Sequence, residues 1–259
     1  MSMKDQIFSK SEIERYARHF VISEIGEKGQ LALKNASVLI IGAGGLGSAS
    51  SMYLAAAGIG KIGIVDSDNV ELSNLQRQII HGSSTLGNSK VDSAAQRLID
   101  INPYIKINPY HTRVTSETIQ ELLDGYSIVL DATDNFETRY LANHECVKQQ
   151  KPFVFASVYH FYGQISIFDA SKGPCFRCVF KEYPSEEIIE SNRGVGVCSP
   201  LPGIMGTMQA LETIKLIVGI GSTCMGRLLL FDGLEMRLQG INIKKDMSCP
   251  DCSSKGILL

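Results

Sequence analysis

The stretch from Val38 to Asp66, VLIIGAGGLGSASSMYLAAAGIGKIGIVD, constrains the fold more than any other part of this chain. An apolar run (Val38 to Ile41) enters a glycine turn (Gly42, Gly44, Gly45, Gly47). A helix-like segment rich in Ala and Ser follows, then a second apolar run that stops at Asp66. Unbroken apolar runs of this length suit strands buried on both faces, and a small-residue helix between them can lie close against a parallel sheet. The predicted unit is βαβ. Glycines at 42, 44 and 47 keep the spacing G-x-G-x-x-G, in which missing side chains permit a tight turn, close approach of a phosphate to the backbone, and close packing of helix on strand. Free N–H groups and the helix dipole would hold the phosphate at the helix N-terminus, while Asp66 at the tip of the next strand is placed to accept ribose hydroxyls. A nucleotide site is the first hypothesis, with a turn that serves packing alone as its rival.

Elsewhere the chain bounds the answer by exclusion. At 259 residues and 44% hydrophobic content it can bury a large core, as one α/β domain or as a domain with a smaller appendage. A net charge of -2 gives no electrostatic case for nucleic acid or a membrane surface as main partner. No apolar run reaches the roughly 18 residues of a membrane span, and the start, MSMKDQIFSK, lacks the apolar stretch of a secretory signal, so a cytoplasmic protein is expected.

Residues 11–34 mix charge and apolar positions at helical spacing and predict two short helices broken near Gly26 and Gly29, packed outside the first strand. Arg15, Tyr16 and Arg18 lie here, and a solvated helix face accounts for them as they stand. After Asp66, Ser73 and Asn74 resemble a helix start that would bring Asn74, Arg77 and Gln78 onto one face, and Lys90 opens a helix over 89–101, where a cation can reach phosphates at the C-terminal edge of a parallel sheet. Ordinary surface charge is the competing reading of Arg77 and Lys90. Residues 105–111 predict a strand, 116–124 a helix, and 127–131 a buried strand ending in Asp131-Ala132-Thr133-Asp134-Asn135. Asp134 could hold a Mg²⁺ on triphosphate oxygens, or Asp134 or Asn135 could cap the helix over 136–150. Runs at 152–158, 161–169, 227–232 and 234–243 predict strands close enough in sequence to pair antiparallel, and 203–220 a helix. Residues 36–150 thus form a nucleotide-binding half and 151–259 an antiparallel half, with 181–199 as a mobile loop.

Four of the seven cysteines fall into two pairs, Cys175-Phe-Arg-Cys178 and Cys249-Pro-Asp-Cys252. Two thiolate pairs separated by a long insertion suit a tetrahedral Zn²⁺ with no ligand position left for substrate, a structural site that clips the C-terminal tail to the middle of the chain. A redox Cys-x-x-Cys and unligated thiols are the alternatives. Cys146 and Cys224 sit in apolar surroundings and read as core residues.

Taken together, Arg15-Tyr-x-Arg18, Gly42-Ala-Gly-Gly-Leu-Gly47, Asp66-x-Asp68, Ser73-Asn-Leu-Gln-Arg-Gln78, Lys90, Thr133-Asp-Asn135, the two cysteine pairs and Phe231-Asp-Gly233 resemble the ThiF/MoeB/HesA-type adenylating enzymes, relatives of the ubiquitin-activating enzymes. The resemblance runs over about residues 11–255 and rests on the order and spacing of motifs that are individually weak. It implies a Rossmann-like mixed α/β sheet, parallel in the N-terminal half and antiparallel in the C-terminal half. It implies binding of ATP with Mg²⁺ and adenylation of the C-terminal Gly-Gly carboxylate of a ubiquitin-like sulfur-carrier protein, with release of pyrophosphate. It also implies a homodimer in which Arg18 reaches the triphosphate of the neighbouring subunit. Asp66 matches the ribose acceptor, Asn74, Arg77 and Lys90 the phosphate contacts, and Asp134 the aspartate associated with Mg²⁺; Asp68, Gln78 and Asn135 complete the cofactor set.

A rival within the same fold, an NAD-dependent oxidoreductase, accounts for the first 66 residues but gives Arg77, Lys90 and Asp134 nothing to do. A non-catalytic carrier-binding module leaves the same three residues idle. Thiamine and molybdopterin pathways share the architecture; SNLQRQI and the compact chain lean toward thiamine-thiazole synthesis. One departure stands out. Many relatives carry a loop cysteine in a pattern like C-x-x-A-G-V-x-G-P, and aligning Gly196 to Pro200 on it places Asn192 at the cysteine position, with Cys198 six residues on. The expectation is an enzyme that stops at the acyl-adenylate and leaves sulfur delivery to a separate donor, a cysteine desulfurase or a rhodanese.

Overall fold

The structure, a computed structural model, describes residues 3–192 and 194–253, the side chains of 191 and 192 excepted. Four helices lead in: α1 (Met3–Ile7), α2 (Lys10–Arg15), α3 (Ala17–Phe20) and α4 (Gly26–Asn35). Then come β1 (Ser37–Ile41), α5 (Gly45–Ala57), β2 (Lys61–Asp66), α6 (Lys90–Ile101), β3 (Lys106–His111), α7 (Ile119–Leu123), β4 (Ile128–Asp131) and α8 (Phe136–Lys148). The second half holds β5 (Phe153–Tyr159), β6 (Tyr162–Phe168), α9 (Phe176–Val179), α10 (Glu186–Asn192), α11 (Pro200–Val218), β7 (Arg227–Asp232) and β8 (Arg237–Asn242).

All eight strands join one sheet in the order β3-β2-β1-β4-β5-β6-β7-β8. The first five are parallel to their neighbours and the last four form an antiparallel meander. The mixed α/β sheet follows the sequence: each parallel pairing is bridged by a helix, whereas the two-residue link from β5 to β6 leaves room only for a hairpin. Apolar clusters cover both faces. Val38, Ile40, Ile62, Ile64, Leu130 and Val154 pack beneath α5, α6 and α11, and Leu39, Ile41, Val129, Phe153, Phe155 and Phe168 beneath α7, α8 and α9. Burial on both sides is why β1, β2 and β4 carry unbroken apolar runs instead of alternation. Among the described residues no helix is long and apolar enough to cross a membrane.

Three local expectations need correction. The N-terminal break falls at residues 21–25, directly before Gly26 (φ +53°), and not at Gly29, which lies inside α4. Gly29 is there for packing: a Cβ on it would lie 2.9 Å from Cγ1 of Val218 on α11. Asn74, Arg77 and Gln78 do not sit on a regular helix; one 3-10 turn at Leu72–Asn74 runs into further turns, although backbone bonds from Arg77 and Gln78 to Asn74 O still stack the three residues. The 181–199 segment is not all loop, since α10 occupies its middle.

Strand direction turns outward from β1 to β2 and β3 on one side, and to β4 and β5 on the other. The crevice at the C-terminal ends of β1 and β4 is therefore the topological switch point, where open α/β sheets take their ligands.

Candidate functional site

At that switch point Gly42 leaves β1 with φ +106°, and a Cβ on it would lie 2.5 Å from Ala132 O at the end of β4. A Cβ on Gly47, one turn into α5, would come within 2.0 Å of Gly42 O. Neither position tolerates a side chain, so the spacing read from sequence is enforced by contact of turn, helix and strand. Gly44 is the N-cap of α5 and supplies no capping side chain, which leaves the first N–H groups of the helix without a local acceptor. Among the described residues the Gly44 N–H itself has no hydrogen-bond partner.

Asp66, at the end of β2, accepts from the Ala43 N–H (2.8 Å) and the Asp68 N–H (2.9 Å). Lys90 opens α6 behind the Ser89 N-cap and is 6% exposed. Its Nζ meets the carboxylate of Asp68 at 2.7 Å, and that carboxylate faces solvent. A buried cation whose partner is an exposed carboxylate can be taken over by an incoming anion without leaving either group dry and unpaired. Gln78 is buried, with its Nε2 3.7 Å from where a Gly44 Cβ would stand and its Oε1 without a partner. Arg77 is half-buried; its Nη1 donates to Ser73 O at 3.2 Å. Asn74 Oδ1 accepts from the Glu71 N–H at 3.3 Å.

Across the crevice, the five residues after β4's apolar stretch divide their work. Asp131, 1% exposed, takes Arg139 Nε at 2.6 Å and both the N–H and hydroxyl of Thr133. Asn135 caps α8 by accepting from the Thr138 N–H at 2.9 Å. With capping assigned to Asn135 and the buried ion pair to Asp131, Asp134 is left exposed and without a partner among the described residues. Gly42, Gly44, Gly45, Gly47, Asp66, Asp68, Asn74, Arg77, Gln78, Lys90, Asp134 and Asn135 are thus carried by the strand ends, loops and helix starts at this one edge.

Arg18 is elsewhere. Tyr16, two residues before it, packs on Gly58 at the C-terminal end of α5, the length of that 13-residue helix, about 20 Å, from the glycine turn. Arg18 is exposed and has no partner among the described residues, whereas Arg15 donates to Ile101 O and lies over the Tyr104 ring.

One residue of this region escaped the sequence reading. His81 is buried between the glycine turn and α6, with Nε2 3.0 Å from Ala43 O and Nδ1 2.9 Å from Ser93 Oγ. Its only signal was position, between the Arg77 turn and Lys90; a lone His on an apolar run says nothing about what it will meet.

The four cysteines form a second, separate cluster. Their sulfurs lie within 4.8 Å of one another, with Cys175 3.8 Å from Cys178 and 3.6 Å from Cys249, and Cys178 3.3 Å from Cys252. Tetrahedral thiolate ligation at a Zn–S length near 2.3 Å requires sulfur–sulfur edges of about 3.8 Å, so the donor set fits that ion. All four are buried. Burial pushes the thiol of Cys252 up to about 12, with the Cys178 sulfur adding to it, and burial together with the other three sulfurs pushes Cys175 higher still. A cation bound among them would favour their thiolate forms. Asp251 braces the knot, accepting from Asn143 Nδ2 on α8 (2.8 Å) and from Arg177 (3.2 Å), while Asn143 Oδ1 takes the Phe176 N–H. Cys146 and Cys224 are buried apart from it, as expected.

The sequence pattern of the ThiF family matches residues 16–251. The chain is 47% identical over 246 residues to the adenylyltransferase and sulfurtransferase MOCS3 of Culex quinquefasciatus, a match covering 95% of this chain and 56% of that protein. It is 40% identical over 253 residues to the sulfur carrier protein adenylyltransferase of Thermus thermophilus, covering 96% of this chain and 93% of that one. Thus the chain spans little more than half the length of the first relative and nearly all of the second. Among solved structures, that of E. coli MccB with ATP superposes with a TM-score of 0.82 over 98% of this chain and 77% of MccB, at 22% identity, a likeness of fold.

Proposed function

The chain belongs to the ThiF family, and from that premise we propose that it adenylates the C-terminal Gly-Gly carboxylate of a ubiquitin-like sulfur-carrier protein at the expense of ATP. The observation that carries the reading is the unsatisfied valence at the switch point. An uncapped helix start, a buried Lys90 answered by an exposed carboxylate, and an Asp134 without a partner among the described residues lie at the sheet edge where a nucleotide would bind. In this reading Asp66 and Asp68 hold the ribose, the glycine turn with Asn74, Arg77, Gln78 and Lys90 holds the phosphates, and Asp134 beside Asn135 is the ligand for Mg²⁺.

A C-terminal carboxylate has a reference pKa of about 3.5 and is already ionised at neutral pH, so the attack needs no general base. Its oxygen bonds to the α-phosphorus, the bond from that phosphorus to the bridging oxygen breaks, and pyrophosphate departs with the electron pair. Arg77 and Lys90 neutralise charge on the leaving group and align it. A Mg²⁺, when bound, supplies further charge neutralisation on the phosphate oxygens. Arg18, remote from the turn of its own chain, is assigned to the triphosphate of a second copy in a homodimer.

The antiparallel half supplies a surface for the carrier at the same edge of the sheet. Tyr159, Phe161, Tyr162, Leu234 and Met236 are exposed there, beside a shallow groove of about 300 Å³ lined by Gln164, Asp232, Arg237 and Gln239. Sulfur would then reach the acyl-adenylate from a separate donor, a cysteine desulfurase or a rhodanese. Of the two carrier classes, the thiazole-synthesis carrier is favoured by the SNLQRQI segment; a molybdopterin carrier presents the same tail. The test is ATP–pyrophosphate exchange in the presence of purified Gly-Gly-tailed carriers. Exchange that requires one of them and stops when its last glycine is removed is the expected result. ATP binding without exchange for any carrier would reduce the protein to a binding module, and nicotinamide cofactor binding in place of ATP would overturn the reading.

A further inference from the structure

The peptide joining Ala43 to Gly44 is gripped from beneath the glycine turn. Ala43 O lies 3.0 Å from His81 Nε2, and since a carbonyl oxygen only accepts, Nε2 carries the proton. Nδ1 then accepts from the hydroxyl of Ser93, 2.9 Å away. Burial holds the imidazole below its ordinary pKa and nearby Lys90 adds to this, against the Ala43 bond and Asp66, which favour the proton. The next bond upstream is fixed as well, because the Ala43 N–H is held by Asp66.

In a trans peptide the carbonyl and the N–H point in opposite directions, and among the described residues every peptide bond is trans. By drawing Ala43 O inward, His81 turns the Gly44 N–H outward, to the side where α5 begins uncapped. That N–H has no acceptor among the described residues. Ser93, moreover, stands three residues after Lys90 on α6, so the same imidazole ties the turn to the helix that carries the buried cation.

We propose that His81 is a positioning residue of the nucleotide site: it fixes the Ala43–Gly44 peptide with its N–H toward the phosphates and braces the glycine turn against the helix of Lys90. It touches no substrate. The proposal rests on the nucleotide reading above and adds to it the element that holds the turn ready before ATP arrives.

A histidine that merely fills the core would affect folding alone, so the test separates binding from stability. ATP affinity by calorimetry and the KM and kcat of pyrophosphate exchange are measured for the intact wild type, His81→Phe and His81→Gln, alongside thermal melts. Phenylalanine keeps the volume without a donor, and glutamine returns an amide N–H near the Nε2 position. His81→Phe is expected to weaken ATP about tenfold, chiefly through KM, and His81→Gln to recover to within about threefold of wild type. Wild-type affinity in a folded His81→Phe variant, or a His81→Gln variant as weak as the phenylalanine one, overturns the proposal while leaving ATP binding by the wild type intact. A wild type that binds no ATP removes the underlying reading and the proposal with it. Nitrogen-15 NMR of the wild-type imidazole tests the geometry independently of whether the variants fold: a neutral ring protonated at Nε2 is expected, and one protonated at Nδ1 overturns the assignment.

Discussion

The two polar clusters of this chain, the cysteine knot and the glycine-turn crevice, are built to opposite ends. Around the cysteines the polar groups face one another: Asp251 takes Asn143 and Arg177, Asn143 takes the Phe176 N–H, and Asp246 takes Ser248 and Lys181. Four sulfurs enclose a volume suited to one ion and leave no position for anything else. Around the glycine turn the bonding is left incomplete among the described residues, with a free Gly44 N–H, a partnerless Asp134 and a Lys90 paired with an exposed carboxylate. A closed donor set can only hold structure together. An open one, kept rigid by Gly42, Gly47 and the buried Asp131–Arg139 pair, has capacity to spend on a ligand. On the proposed reading, the difference gives stability to one cluster and turnover to the other, and each assignment can be broken.

The largest effect belongs to the knot. Replacing Cys249 by Ser should abolish binding of the one Zn²⁺ expected per chain and cost more than about 3 kcal/mol of stability, since free energy of metal binding counts here as folding free energy. Metal analysis and a thermal melt read both outcomes. Purified wild type with no metal, or a Cys249→Ser variant that melts with it, would remove the contrast between the two clusters.

At the crevice the same logic runs the other way. Arg77→Ala and Asp134→Asn should each lower pyrophosphate exchange about a hundredfold, while their melting temperatures stay near wild type, because neither side chain is buried. Lys90→Ala should lose exchange to the same degree but also melt earlier. The sequence left ordinary surface charge open for it, as for Arg77; in the fold it is 6% exposed, and truncation leaves a void. Unchanged exchange in Arg77→Ala and Lys90→Ala would strip both residues of their roles.

What could be read from the sequence, and what could not, divides along physical lines. The βαβ unit, the change from parallel to antiparallel strands between the two halves, and the cysteine set follow from short-range spacing and from burial on two faces, and these were legible. The segment after Asp66 was misjudged in kind because its three stacked residues are held by two backbone bonds to Asn74 O, too few for a helix. The division of labour among Asp131, Asp134 and Asn135 depended on Arg139, eight residues from Asp131, claiming the first of them, a contact that no local pattern encodes. His81 was missed for a similar reason, its partners Ala43 and Ser93 being set by the approach of turn and helix. Even Arg18 could be placed by geometry only in the negative, at the far end of α5 from its own chain's turn.

The smallest expected effect is none at all, and it tests where the chemistry stops. On the loop pattern aligned above, Asn192 falls at the expected cysteine position; it closes α10, and its side chain lies outside the described residues. An amide has no thiolate to offer, so any covalent link to the carrier would have to move to Cys198. That thiol is half-buried and packs against the core cluster under α11, while its backbone is pinned at both ends: its N–H donates to His160 O and its carbonyl accepts from Leu201. Among the described residues the sulfur makes no hydrogen bond, and a nucleophilic cysteine is activated by a base or donor in contact with it. Cys198→Ala is therefore expected to leave carrier-dependent exchange unchanged, and mass spectrometry of a non-reduced mixture of enzyme, carrier and ATP is expected to show acyl-adenylate without a covalent adduct. An adduct mapped to Cys198 would show that the open site extends into the 194–199 segment, with the nucleophile displaced six residues along the loop.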